Sequence, residues 1–232
     1  MRDIKLNYTN SGPIVIGLLL FSVFAFWNSY YLIFFENAFY VHFHAFTALI
    51  WFAMLVIQPY LIKKKKLELH RQLGKASIPV AGLVIISIIL LAHNRISTAE
   101  ESFYNLQTYI LYLQISLAFV FAVTYGLAMY FRHSTPIHSR LMVATTLTFV
   151  DPIFARLIFT YLPDININGQ WLTFGIINLI LIALSLIDRN NKKVRWVFPG
   201  LLALYIIIEI PIYFGLTGSS WWQNFAAWLA SI

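Results

Sequence analysis

The chain has 232 residues, of which 60% are hydrophobic and 11% charged, with a formal net charge of +7 and no cysteine. So few charges are atypical of a soluble domain of this length, and the lack of cysteine excludes disulfides, thiolate metal sites and cysteine nucleophiles. Long apolar runs follow one another along the whole sequence. We therefore predict an all-α, polytopic membrane bundle that forms a single domain over residues 1–232.

Seven apolar segments have about the length that a bilayer-spanning helix needs. They lie at approximately 13–35, 40–62, 76–93, 105–131, 139–162, 171–187 and 196–216. No cleavage pattern of small residues follows the first, so we interpret it as a retained helix and not as a signal peptide. The final stretch, TGSSWWQNFAAWLASI, is rich in tryptophan and predicts a short helix that lies in the membrane interface.

The loops between these predicted helices alternate in charge. The N-terminus and the second-to-third, fourth-to-fifth and sixth-to-seventh connections hold 14 of the 16 Lys and Arg residues. The other connections carry Glu36, Glu100, Glu101 and Asp164. Because Lys and Arg favour cytoplasmic loops, we predict a multi-pass protein of the bacterial inner membrane with a cytoplasmic N-terminus and a periplasmic C-terminus. The lipid bilayer is its expected partner, and nucleic acid is not.

A short repeat marks two of the cytoplasmic helix entries. LELHRQLGKAS opens the third predicted helix and TPIHSRLMVAT opens the fifth, and both place a histidine, a nearby arginine and a leucine at the entry. The match suggests a duplicated helical hairpin. It makes His70 and His138 a second, cytoplasmic-side pair of candidate site residues.

Ionisable side chains are costly inside a bilayer, by roughly 2.5–3.5 kcal/mol each on insertion scales. The predicted helices nevertheless contain His44, His93, Asp151, Arg156 and Glu209. The direction of each helix places Asp151 near the midplane of the membrane and the others, with Gln114, in its outer half. Polar groups at one depth on separate helices predict a pocket that opens toward the periplasm.

The second and fifth predicted helices carry further signals. His44, Thr47, Trp51 and Gln58 fall on one face of the second helix, and this face is expected to point into the bundle because lipid does not solvate it. On the fifth helix Pro152 follows Asp151. The missing backbone donor of a proline predicts a kink at this point.

Two kinds of cofactor fit His44 and His93. The two imidazoles could be axial ligands of haem b, with Arg156 paired to a propionate. Alternatively, they could bind a divalent metal ion together with Asp151 or Glu209, because carboxylates are good ligands of hard metals. Arg156, Gln114, Thr47 and Trp51 would support either group from the pocket wall.

Other functions remain open at this stage. The sequence contains no nucleophile elbow, HExxH motif, Walker loop or GxGxxG motif, so it leaves open whether the protein is an enzyme. The same polar pocket could hold a small ligand or relay protons without any cofactor, as in a transporter. It could also be structural, in a subunit that binds a membrane partner or a second copy of itself.

Three segments carry a resemblance to known families. FHAFTALIWFAMLVIQPYLI, LHRQLGKAS and HSRLMVATTLTFVDPIFARL, within residues 43–160, resemble multi-helix bacterial membrane proteins of the domain-of-unknown-function type, with an outer histidine and HRxLG-type and HxRLM-type helix entries. Similar families are discussed with b-type cytochromes and haem–copper oxidase assembly, which implies a redox role. A more distant likeness to seven-span zinc hydrolases implies a metal-dependent hydrolase, although the seventh predicted helix lacks the histidine of such a site.

Overall fold

The computed structural model describes residues 10–164 and 168–232, and all regular structure within them is helical. The α-helices are α1 Gly12–Ala25, α2 Phe39–Lys63, α3 Leu67–Ser97, α4 Tyr104–Tyr130, α5 Thr135–Ala144, α6 Leu147–Tyr161, α7 Gly169–Asp188, α8 Val197–Tyr213 and α9 Ser220–Ala230. Arg2 and Lys5, which contributed to the predicted orientation, lie outside the described residues. So does the middle of the loop that precedes α7.

Five segments are long and apolar enough to cross a membrane. They are Phe39–Lys63, Leu67–Ser97, Glu101–Tyr130, Thr135–Tyr161 and Gly169–Asp188. α1 and α8 are apolar but shorter. The prediction of an all-helical, membrane-protein-like bundle is therefore confirmed, whereas the number of seven spans stays a prediction.

Two predicted helix boundaries differ from the structure for local reasons. α3 begins at Leu67, inside the basic stretch, because Leu, Glu, Gln, Arg and Lys are all good helix formers. α1 ends at Ala25 and is followed by a π-helical turn, Trp27–Tyr31. This turn contains asparagine, serine and aromatic residues, which have lower helix propensity.

The paired helices α2 and α3, α3 and α4, and α7 and α8 run antiparallel. His44 of α2 lies opposite Ser87 of α3, and Ser77 of α3 opposite Tyr125 of α4. Asn178 of α7 lies opposite Glu209 of α8 in the same way. This alternation brings the basic connections, residues 63–66, 131–134 and 189–196, to one end of the bundle, which we call the basic end. The connections 98–103, 162–164 and 214–219 lie at the opposite end.

The fifth predicted helix is broken, but not at the proline. α5 ends at Ala144 and α6 begins at Leu147. The hydroxyls of Thr145 and Thr146, between them, donate to the carbonyls three residues earlier, at 2.7 and 2.6 Å. Such bonds compete with the helical backbone pattern. The helix is therefore interrupted at Thr145 and Thr146, N-terminal to Pro152, where the kink was predicted.

The predicted short C-terminal helix is present as α9, which has one buried face and one exposed face. One face of α9 packs on α3 and α4, where the indole of Trp222 is 6% exposed and donates to the carbonyl of Thr108 at 2.9 Å. Trp221 and Trp228 on the other face are exposed. The position of α9 at the opposite end, with exposed tryptophans, is typical of an interfacial helix.

Candidate functional site

Two carboxylates are buried inside the bundle and share α7 as the source of their hydrogen-bond donors. Asp151 of α6 is 3% exposed and Glu209 of α8 is 1% exposed, and the two interact electrostatically. We call these two residues, together with Tyr205 and their hydrogen-bond partners on α7, the acidic site. Its members come from three helices that are consecutive in the chain, α6, α7 and α8.

Asp151 is bound by neutral donors from the first turns of α7. The amide of Gln170 donates to Oδ1 of Asp151 at 2.6 Å, and the hydroxyl of Thr173 donates to the same oxygen at 2.5 Å. Gln170 also donates to Thr173, at 2.8 Å, which holds the two donors in one arrangement. Among the described residues, no cation forms an ion pair with Asp151.

Glu209 has one satisfied oxygen and one unsatisfied oxygen. Asn178 of α7 donates to Oε2 at 2.8 Å, whereas Oε1 of Glu209 is buried without a hydrogen-bond partner. The hydroxyl of Tyr205, one helical turn earlier on α8, is also buried and unpartnered. Each unsatisfied buried polar group costs about 1–3 kcal/mol, so their clustering beside a carboxylate pair is what a site for an exchanging ligand or water would show.

A small cavity adjoins the acidic site. Asp151 and Tyr205 line it together with Ser116 of α4 and apolar side chains of α4, α7 and α8. Its volume is about 10 Å³, close to the smallest space that holds one water molecule. The acidic site is therefore an interior site beside a small, mainly apolar cavity.

The inward face predicted for α2 is confirmed by its contacts. Thr47 and Trp51 are buried, and the indole of Trp51 donates to the hydroxyl of Thr145 at 3.2 Å. Gln58 donates to the backbone carbonyl of His70. The α2 face therefore packs on α3 and on the break between α5 and α6.

His44 shares a group of polar contacts with Ser87 and Thr47. Oγ of Ser87 lies 2.7 Å from the carbonyl oxygen of Val84 and 2.9 Å from the hydroxyl of Thr47. Nδ1 of His44 lies 3.1 Å from the same Oγ, and the tautomer of His44 decides which of the two atoms donates. The hydroxyl of Thr47 also lies 3.0 Å from the backbone carbonyl of His44.

The other charged residues predicted for the pocket have different contacts from those of the acidic site. Arg156 packs its guanidinium against the ring of Phe26, 5.6 Å from the ring centroid. It interacts electrostatically with Arg95 in the last turn of α3, and Arg95 does so with His44. We call His44, Arg95 and Arg156 the basic site. The contacts of Arg156 and His44 thus differ from those of Asp151 and Glu209, and the single pocket stays a prediction.

Arg95 was missed as a site residue because the third helix was predicted to end before it. In the structure α3 continues to Ser97, and Arg95 is half-buried. The absence of glycine and proline from LLAHNRIS was the signal that could have extended the helix.

His93 and Gln114 are both half-buried. Ser87, and not His93, lies opposite His44, and His93 is about 9 Å further along α3 at 1.5 Å per residue. The side-chain oxygen of Gln114 is buried without a partner. The proposed pairing of His44 with His93 as cofactor ligands stays a prediction.

The repeated histidines both lie near the basic end, His70 in the first turn of α3 and His138 in the first turn of α5. His70 of α3 and His138 of α5 interact electrostatically, and Nδ1 of His138 lies 2.8 Å from the carbonyl oxygen of Ala128. A carbonyl only accepts, so Nδ1 is the donor and Nε2 of His138 has a free lone pair.

A buried ion pair near the same end was not predicted. Nε and Nη2 of Arg140 donate to the two carboxylate oxygens of Asp188, at 2.5 and 2.6 Å. The side chains are 8% and 5% exposed. Arg140 was predicted to lie in a cytoplasmic connection, because it stands at the boundary between a polar stretch and an apolar helix.

The described residues contain no group of three or more His, Cys, Asp or Glu side chains placed to hold a metal ion. Comparison of the chain with protein-family models, with curated proteins and with solved structures gave no match. The resemblance noted from the sequence motifs therefore remains an expectation, and the function has to be argued from the site itself.

Proposed function

We propose that the protein is a membrane carrier without a cofactor, in which the acidic site exchanges a proton as a small ligand binds. The observation that carries this proposal is that Asp151 and Glu209 are both buried in the bundle, interact electrostatically and are bound only by neutral donors of α7. Two negative charges in one apolar interior repel each other and lose their hydration. At least one proton on the pair offsets both costs.

The proposal includes the predicted topology of seven spans with the basic end in the cytoplasm. α1 and the π-helical turn after it extend over residues 12–31, about 30 Å at 1.5 Å per residue, which matches the hydrocarbon core. α8 is about 26 Å long on the same basis, a length that a slightly thinned bilayer accommodates. The basic connections then face the bacterial cytoplasm and the C-terminus faces the periplasm.

The neighbouring groups support proton exchange. Tyr205 and Asp151 line a cavity of water size, and the hydroxyl of Tyr205 and Oε1 of Glu209 are buried without a hydrogen-bond partner. A water molecule there can accept from one group and donate to another, as proton transfer inside a membrane requires. Charged intramembrane residues of this kind commonly mark the ion pathways of carriers.

An acid-directed pH step applied to proteoliposomes on a solid-supported membrane tests this proposal without knowledge of the ligand. We expect a transient current in the wild type, because a proton that reaches the buried pair moves charge through part of the bilayer. Glu209→Gln or Asp151→Asn should remove most of this current. Glu101→Gln, at an exposed carboxylate, is the control and should retain it. A current of equal size in all variants would refute the proposal.

A second candidate function rests on His70 and His138. Two imidazoles from different helices, one of them with its Nε2 free, are the donor set that haem b or a metal ion takes. For this candidate we expect a haem absorption band, or one equivalent of metal, in the purified protein. His138→Ala should abolish either signal, and His133→Ala, at an exposed position, should preserve it. A colourless, metal-free wild-type protein would exclude this candidate.

A further inference from the structure

We infer that a cleft at the start of α2 binds the ring of a lipid-soluble compound that carries a carbonyl group, as a quinone does. The cleft has a volume of about 430 Å³, and we call the residues that line it the aromatic cleft: Tyr30, Phe34, Phe39, His42, Phe43 and Phe46. Pockets for small ligands commonly measure about 300–1,000 Å³ and combine apolar walls with a few polar groups. The aromatic cleft shares no residue with the acidic site, so the inference goes beyond the proposed function and does not rest on it.

One wall of the aromatic cleft is a single face of α2. His42, Phe43 and Phe46 stand three, four and seven residues after Phe39, a spacing that places side chains on one side of a helix. The rings of Phe39 and Phe43 are stacked, with their centroids 5.9 Å apart. This face is distinct from the inward face of α2, which packs on α3. It lies at the opposite end of the bundle, because α3 ends there and α2 runs antiparallel to α3.

The other wall comes from the turns between α1 and α2. Tyr30 belongs to the π-helical turn, and Phe34 begins a short 3₁₀ turn, Phe34–Glu36. The side-chain amide of Asn37 donates to the backbone carbonyls of Tyr30 and Ile33, at 3.2 and 2.9 Å. These bonds hold the two turns together in front of α2. A π-helical turn of this kind is frequent at functional sites.

The aromatic cleft contains one polar pair. The hydroxyl of Tyr30 lies 3.1 Å from Nδ1 of His42, and the rings of Tyr30 and Phe34 contact the imidazole, with centroid distances of 5.5 and 4.6 Å. A tyrosine and a neutral histidine carry two polar hydrogens between them, and their mutual contact uses one. Within the described residues, neither side chain forms a second hydrogen bond. The pair therefore has a hydrogen left for an acceptor of the ligand, whichever tautomer His42 adopts.

This lining selects a neutral ring with a carbonyl group. None of the six residues is a lysine, an arginine or a carboxylic acid, so the aromatic cleft does not neutralise a charged ligand. Aromatic walls favour offset or edge-to-face contact with another ring, and a polar pair that donates a hydrogen bond is complementary to a ring carbonyl. Phe34, Phe39 and Phe46 are exposed. The cleft thus opens at the surface of the bundle, where the surrounding lipid dissolves a compound of this class.

The test measures the thermal midpoint of the full-length protein in a non-ionic detergent, titrated with decylubiquinone, a short-chain quinone. We expect a saturable rise of the wild-type midpoint. The double variant Tyr30→Phe with His42→Phe keeps both rings and removes both polar hydrogens. It should weaken the apparent affinity about threefold to tenfold, as the loss of one neutral hydrogen bond predicts. The matched control makes the same substitutions at two exposed positions of the basic end, Tyr130→Phe with His133→Phe, and should bind as the wild type does.

Two further probes separate the carbonyl from the ring. Decylbenzene has a ring and a tail but no carbonyl, so the wild type and the Tyr30→Phe, His42→Phe variant should bind it equally. Phe39→Ala, which removes an exposed part of the wall, should weaken the binding of both ring compounds. Circular dichroism verifies the fold of each variant.

Two results would overturn the inference. The first is an equal affinity of the wild type and the Tyr30→Phe, His42→Phe variant for decylubiquinone. The second is a rise of the midpoint with phosphatidylcholine in mixed micelles and none with decylubiquinone, because the aromatic rings would then hold the quaternary ammonium group of a lipid. These titrations do not depend on the pH-step current, so the two proposals fail separately.

Discussion

Replacement of Arg140 by alanine should lower the free energy of unfolding by about 3–5 kcal/mol, because it leaves the carboxylate of Asp188 buried without its charged partner. The pair joins α5 to α7 through two parallel bonds of 2.5 and 2.6 Å. Unfolding by sodium dodecyl sulfate, followed by circular dichroism, measures the change. The apolar replacement Arg140→Met with Asp188→Leu should recover most of the loss, since it removes both charges together.

The matched control is an exposed ion pair on the same protein. Arg71 and Glu68 are 3.6 Å apart, and their side chains are 70% and 72% exposed. Arg71→Ala should therefore change the free energy of unfolding by less than about 1 kcal/mol. If Arg140→Ala costs no more than Arg71→Ala, the Arg140–Asp188 pair does not stabilise the packing of α5 on α7.

Asp151→Ala should destabilise the bundle by about 1–3 kcal/mol for each donor that it leaves unsatisfied. Gln170 loses one of the two acceptors of its amide in this variant and keeps Thr173, whereas Thr173 can still donate to the carbonyl of Gln170, at 2.9 Å. Asp151→Asn retains a side-chain oxygen for these donors and should cost much less. Unfolding of the two variants under identical conditions measures the difference.

Comparison of Asp151→Asn with Asp151→Ala separates the effect of the charge from the effect of the hydrogen bonds. Asp151→Asn removes only the titratable group, whereas Asp151→Ala also removes the hydrogen-bond acceptor. Equal destabilisation by the two would mean that the contacts with Gln170 and Thr173 do not hold α6 against α7. The acidic site would then lack the arrangement that the proposed proton exchange depends on.

Local sequence patterns were sufficient to predict the class of protein and the inward face of α2. The length of an apolar run, about 20 residues, and the helical periodicity of polar side chains are both properties of a single segment. They were sufficient to place Thr47 and Trp51 in the interior and to predict a separate C-terminal helix with Trp222. Both features are found in the structure.

The different contacts of Asp151 and Arg156 could not be obtained in this way. Helix direction gives the depth of a side chain but not its azimuth around the bundle axis. Asp151 and Arg156 are one and a half turns apart on α6, so the rotation of α6 sends them toward different neighbours, α7 and the ring of Phe26. The Arg140–Asp188 pair depends on the same kind of information, because its partners lie far apart in the chain.

Infrared difference spectroscopy of the protein in membranes, between acid and alkaline conditions, tests most directly whether the buried pair carries a proton. We predict a carbonyl stretching band of a protonated carboxylic acid in the wild type, with a downshift in D₂O. The band should disappear or shift in Glu209→Gln or in Asp151→Asn and persist in Glu101→Gln. A wild-type spectrum without such a band, or with one that neither interior substitution alters, would contradict the account.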